Sequence, residues 1–155
     1  MGLDQYLYAN KYVSDSKWIG AESNAEFDSV VTAMGAKDFM ASDSASAQVQ
    51  IKVAYWRKCN QIHNWFVENC QGGVDDCRES HVSREQLMEL VDLCGKVLAN
   101  NDDAHCLLPS QGGFFFGSTD YDEWYFNDIK ETVEQLSSVL KNTPDGWDFI
   151  YQSSW

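Results

Sequence analysis

Basic side chains are scarce in this chain, with 11 Lys and Arg against 24 Asp and Glu and a formal net charge of -13 at pH 7. A field of that sign repels nucleic acid and anionic membrane and favours basic partners. Proline is limited to Pro109 and Pro144, and aromatics make up 14% of the residues, which excludes a disordered or low-complexity chain. No stretch approaches the ~20 apolar residues that a membrane span needs. The first residues, Met1-Gly2-Leu3-Asp4-Gln5, lack the basic start and apolar run of a secretory signal. The expectation is a cytoplasmic protein of one domain, residues 1–155, large enough to bury roughly two thirds of its unfolded surface.

Catalytic signatures are missing as well. The chain has no P-loop, no GxGxxG, no HExxH and no GxSxG. Its five cysteines, Cys59, Cys70, Cys77, Cys94 and Cys106, are odd in number and lack the paired short spacing of zinc knuckles, which suits reduced thiols better than disulfides. Cys59 and His63 share a helical spacing, and Cys70, Cys77 and His81 follow, but the zinc signature itself is absent. No metal and no cofactor are expected. His63 as a base with Cys59 or Cys70 as nucleophile would make a small hydrolase, yet these residues lie within an apolar pattern where His and Cys usually pack. Gly112-Gly113 and Gly117-Ser118-Thr119 could cradle an anion, but Asp120, Asp122 and Glu123 adjoin them and repel it.

What the chain does contain reads as an α+β domain, a small antiparallel sheet packed with three or four helices. Leu3 to Val13 has strand composition, residues 14–24 read as loop, and a short helix runs from Ala25 to Met34 until Gly35 ends it. Ala41 to Ala47 is a small-residue connection. Val49, Ile51 and Val53 alternate as in a strand, but Tyr55, Trp56, Cys59, Ile62, His63, Phe66 and Val67 recur at helical spacing, so a helix is expected over Ala54 to Asn69. Ser83 with Gln86 forms a capping box ahead of a stripe of Leu87, Leu90, Val91, Cys94 and Leu98. Phe114 to Phe116 suggests a short strand. Ser118 or Thr119 is expected to cap a long helix through Lys141, with Trp124 or Tyr125, Ile129, Val133, Leu136 and Leu140 inward, and Trp147 to Tyr151 forms the last strand.

The segment from Gly112 to Phe126 alternates aromatics with carboxylates, and no Lys or Arg occurs between Lys96 and Lys130. Asp120, Asp122, Glu123, Asp128, Glu131 and Glu134 on one helix would stand about 5–6 Å apart at neighbouring turns, comparable to the spacing of backbone phosphates. With Trp124 as an aromatic anchor, these residues form the expected partner-binding face. If the whole face is exposed, neutralising Asp128, Glu131 and Glu134 should barely change stability.

Met1-Gly2-Leu3-Asp4 with Tyr6 to Tyr8, Tyr55-Trp56-Arg57-Lys58, Asn60-Gln61-Ile62-His63, Trp65-Phe66-Val67, Val82-Ser83-Arg84-Glu85 and Gly113 to Trp124 together resemble a widespread type of small protein encoded by bacteriophages and prophages. The resemblance covers most of the chain outside residues 14–48. At the level of class, the chain resembles anti-CRISPR inhibitors of type I effector complexes. That resemblance implies a non-enzymatic inhibitor acting on a host defence complex in the host cytoplasm, forming a homodimer and contacting neither nucleic acid nor membrane directly. A second reading is a sponge for a nucleotide signal, in which Trp56, Trp65 or Trp124 stacks on a base and Lys52, Arg57 and Lys58 hold the phosphate.

Overall fold

The computed structural model describes residues 2–15, 21–40 and 45–155, and for residues 21–24 the backbone alone. Among the described residues four strands, β1 (Asp4–Ser14), β2 (Ser46–Arg57), β3 (Ser80–Val82) and β4 (Asp148–Ser154), accompany five α-helices: α1 (Ala21–Ala33), α2 (Asn60–Cys70), α3 (Arg84–Ala99), α4 (Ala104–Leu107) and α5 (Glu123–Asn142). The strands form one antiparallel sheet in the order β2-β1-β4-β3, which gives the α+β class. The last strand lies beside the first. Contacts divide the chain into two compact units, Met1–Ala9 with Lys52–Trp155, and Asn10–Ile51.

In the larger unit the sheet obeys the two-residue period of a half-buried strand. Gln5, Leu7 and Ala9 of β1, with Leu3 just ahead of the strand, are buried along with Ala54 and Trp56 of β2 and Phe149 and Tyr151 of β4. They meet Ile62, Phe66, Leu87, Leu90, Ile129 and Leu136 in one core. On the other side of the strands, Lys52 Nζ lies 5.6 Å from the Tyr6 ring and 5.7 Å from the Tyr55 ring. In the smaller unit Val13, Phe27, Val31 and Ala45 form a separate cluster, and Asp15 N–H donates to the Ala45 carbonyl at 3.1 Å.

Several sequence expectations need correction. The strand β2 continues through Tyr55 and Trp56, and α2 begins only at Asn60. Ala54 and Trp56 alternate inward in a run of β-branched and aromatic residues, and that pattern overrides the helical spacing. The break is sharp because Lys58 adopts a left-handed φ of 57° while its N–H donates to the Leu3 carbonyl at 2.8 Å. The first helix starts at Ala21, not Ala25. Residues 16–20 and 41–44, where loop was expected, lie outside the described residues. Phe114 to Phe116 is a turn, with Phe115 at a left-handed φ of 71° and Phe116 N–H bonded to the Gly113 carbonyl at 3.2 Å. Only glycine fits at 113, since a Cβ there would sit 2.6 Å from the Phe116 ring. The capping box of α3 is present, but Val97 is buried in its stripe where Leu98 was expected.

A buried polar chain links the elements of the larger unit. Gln5 Nε2 donates to the Cys59 carbonyl at 2.9 Å, which turns Gln5 Oε1 toward Tyr151, whose hydroxyl donates to it at 3.1 Å. Having donated its proton, the Tyr151 oxygen accepts from His63 Nδ1 at 2.8 Å. His63 Nε2 pairs with Asp75 Oδ2 at 2.9 Å. Trp155 Nε1 completes the chain by donating to Asp75 Oδ1 at 2.9 Å. Replacing Tyr151→Phe leaves Gln5 Oε1 and His63 Nδ1 without a partner in the core. The expected loss is about 1–3 kcal/mol, read from urea unfolding midpoints of the two proteins.

Candidate functional site

The acidic and aromatic segment is shaped by where α5 starts. Asp122, rather than Ser118 or Thr119, is the N-cap, and its carboxylate accepts from the N–H groups of Trp124 and Tyr125 at 3.0 and 3.1 Å. Asp is as good a cap as Ser, and the earlier Ser118 instead accepts from Asp120 N–H at 3.1 Å within the loop. This register buries Tyr125, Ile129, Thr132, Leu136 and Val139, so Val133 and Leu140 are only partly covered. Trp124 is left 72% exposed and Phe114 84% exposed. Asp120 therefore lies in the loop before the helix, and Asp122 and Glu123 lie at its start where carboxylates suit the helix dipole.

Beneath this segment the loop is tied down by Asn60, a buried residue at the start of α2. Its Nδ2 donates to the carbonyls of Phe116 and Ser118 at 3.2 and 2.8 Å, and its Oδ1 accepts from Gln111 N–H at 2.9 Å. Gly117, at φ 95°, lets the loop pass against Lys58, because a Cβ there would sit 3.1 Å from the Lys58 Cβ and carbonyl oxygen. Between the loop, the end of β2 and the start of α5 is a cavity of about 310 Å³. Arg57 and Lys58 line it together with Asp120, Asp122, Asp128, Trp124, Tyr125 and Gln61.

The seven expected partner-binding residues thus divide. Asp120, Asp122, Asp128 and Trp124 converge on the cavity, whereas Glu123, Glu131 and Glu134 face solvent away from it. Asp128 is the exception to the exposed acidic face. It is half-buried, and desolvation pushes its carboxyl up to about 6, with the charges of Glu131 and Asp122 adding to the rise while Gln61 and the Cys59 thiol oppose it. Gln61 is 3% exposed, and its side chain is directed at the Asp128 carboxyl. Sequence reasoning missed Asn60 and Gln61 as site residues. They sit in the quoted Asn60-Gln61-Ile62-His63 run, but two polar residues opening an amphipathic helix normally face water.

Residues considered for catalysis or metal binding are placed otherwise. His63 is fully buried in the polar chain described above. Burial pushes the Cys59 thiol well above its ordinary range and the Cys70 thiol up to about 12, and a protonated thiol is a poor nucleophile. Among the described residues no group of three or more His, Cys, Asp or Glu is placed to hold a metal ion. Among them, too, no helix is long and apolar enough to cross a membrane. No protein family, curated protein or solved structure matches the chain.

The burial of Asp128 changes the expected effect of neutralising the acidic helix. Its folded form holds a proton more tightly than an unfolded Asp, so its charge costs stability increasingly as pH rises from the ordinary value of 3.8 to about 6, and fully above that. Asp128→Asn should therefore stabilise the protein at neutral pH, with the gain fading toward about pH 4. Urea unfolding of both proteins across that range measures it. Glu131→Gln and Glu134→Gln, being exposed, should leave the midpoint almost unchanged.

Proposed function

We propose that the chain is a non-enzymatic inhibitor that binds a basic surface of a host nucleic-acid-handling complex, as its resemblance to phage-encoded proteins implies. One observation carries the reading: Trp124, Phe114 and Phe115 stand in solvent on a stretch whose charged residues are all acidic. Exposed large aromatics cost free energy in water and are typical anchors of binding surfaces. Carboxylates around them set the sign of the partner and speed the encounter. Asp120, Asp122, Glu123, Glu131 and Glu134 supply that charge, and Asp128 supplies it from the cavity wall.

A type I CRISPR effector is the target class the resemblance implies, and the chain acts there without touching nucleic acid itself. Self-association has its own support in the smaller unit, where Met34 and Phe39 are mostly exposed beside an apolar groove.

The test is retention of effector subunits by the tagged chain from a bacterium carrying such a system, with plaque counts of a targeted phage on the same host. Trp124→Ala with Phe114→Ala should reduce retention at least about tenfold, as loss of two anchors does. Raising salt should weaken the wild-type complex, because exposed charges are screened over about 10 Å at 0.1 M. If the wild-type chain retains no effector subunit and rescues no phage, the proposal fails.

A further inference from the structure

We infer that the groove between the outer edge of β2 and helix α5 takes an extended peptide, which adds to the sheet as a further strand. Among the described residues the sheet order leaves β2 with β1 on one side and no strand on the other. Backbone direction decides which groups look outward. Lys58 turns its N–H to the Leu3 carbonyl, whereas Tyr55 N–H points the other way and donates to Gln135 Oε1 of α5 at 3.1 Å. Backbone groups alternate between the two sides of a strand, so Tyr55 and Arg57 present N–H and C=O to the open edge while Trp56 turns to β1. Among the described residues no backbone group bonds either of them there. Such an edge is a template for another strand.

Gln135 stands in for the missing strand at one point. Its Oε1 takes the Tyr55 N–H that a neighbouring strand's carbonyl would take, and a side-chain amide can swing away where a backbone partner would seal the edge. Strand and helix run in opposite directions along the groove. Val53 lies with Gln135, Ser138, Val139 and Asn142 around a cavity of about 440 Å³. Further along β2, Trp56 Nε1 donates to Thr132 Oγ1 at 2.9 Å, and Arg57 and Lys58 lie with Asp128 and Trp124 around the cavity of about 310 Å³. The two cavities thus follow one another along the same strand and the same helix.

The lining of the two cavities selects the occupant. The residues at the Val53 end are uncharged: Val53 and Val139 give apolar surface, and Gln135, Ser138, Asn142 and Thr143 give hydrogen-bonding groups. A charged side chain there would lose water and gain no counter-charge, so a β-branched apolar residue suits that end. At the Lys58 end Asp120, Asp122 and Asp128 outnumber Arg57 and Lys58, and the net charge of -13 has the same sign. Lys or Arg suits this end. The rise along α5 from Asp128 to Val139 is about 16 Å, which an extended peptide spans in about five residues. The occupant is therefore an extended segment with a β-branched apolar residue and a basic residue about five positions apart.

Selection of a random-peptide library on the full chain, followed by calorimetry of the most enriched peptide, tests the inference. Enriched peptides should carry Val or Ile and a Lys or Arg about five positions apart. Methylating the peptide's backbone nitrogens one at a time should weaken binding about fivefold at the positions that bond the edge, since each removes one hydrogen bond. Amide exchange reads the edge itself: Arg57 N–H should exchange quickly in the chain alone and be slowed with the peptide bound. Gln135→Ala should tighten binding, because Tyr55 N–H no longer has to leave the Gln135 amide, a gain that a merely structural role does not give. Exchanging the peptide's basic residue for Gln should cost less affinity against Asp128→Asn than against the wild type. The inference is overturned if no peptide enriches, if the bound peptide leaves Arg57 N–H exchange unchanged, or if Gln135→Ala weakens binding. Slow exchange of Arg57 N–H in the chain alone overturns it too, since the edge is then covered by another part of the chain or by a second copy. No effector complex enters these measurements, so the peptide site and the inhibitor reading stand or fall separately.

Discussion

The larger unit depends on a chain of buried polar side chains. Gln5, Tyr151 and His63 line up from the Cys59 carbonyl, which fixes the Gln5 amide, and Asp75 closes the far end. Each link joins a different element: β1, β4, α2 and the loop after α2. Because an unpaired buried polar group costs more than a paired one contributes, the chain selects against every packing that shifts these elements past one another. His63 is thus occupied on both nitrogens by structure, which is the physical reason it has no free edge to offer a substrate.

The same helix that buries His63 builds the cavity from its first turn. Asn60 and Gln61 are consecutive, but their side chains do opposite things. Asn60 satisfies the loop with three hydrogen bonds, while the Gln61 side chain turns to the Asp128 carboxyl. Asp128 is a carboxyl whose charged form is disfavoured where it stands, so local stability is given up at this corner of the cavity.

Much of the fold was legible in the sequence because it rests on local rules. The capping box at Ser83 and Gln86, the glycine stop after α2 and the alternation of the terminal strands are all set within a few residues. The errors arose where two local patterns competed. Trp56 fits both a strand and a helix period, and only the turn at Lys58, bonded to the distant Leu3 carbonyl, decides between them. The start of α5 had three suitable caps in Ser118, Thr119 and Asp122, and the choice of the last rotated Trp124 out and Tyr125 in. The candidate site was legible only in composition. Acidic and aromatic residues could be named from the chain, but their division between an open face and a cavity depends on Arg57, Lys58 and Gln61, which lie more than fifty residues away in sequence.

Net charge and local charge act over different distances here. The field of a chain at -13 extends to about one Debye length, near 8–10 Å in physiological salt, and at that range it attracts cations and repels phosphate. Within the cavity Arg57 and Lys58 share the lining with Asp120, Asp122 and Asp128, so its charge is mixed and the cations are outnumbered. Trp124 lines the same cavity while most of its ring faces solvent, so the cavity and the open acidic face meet at one side chain.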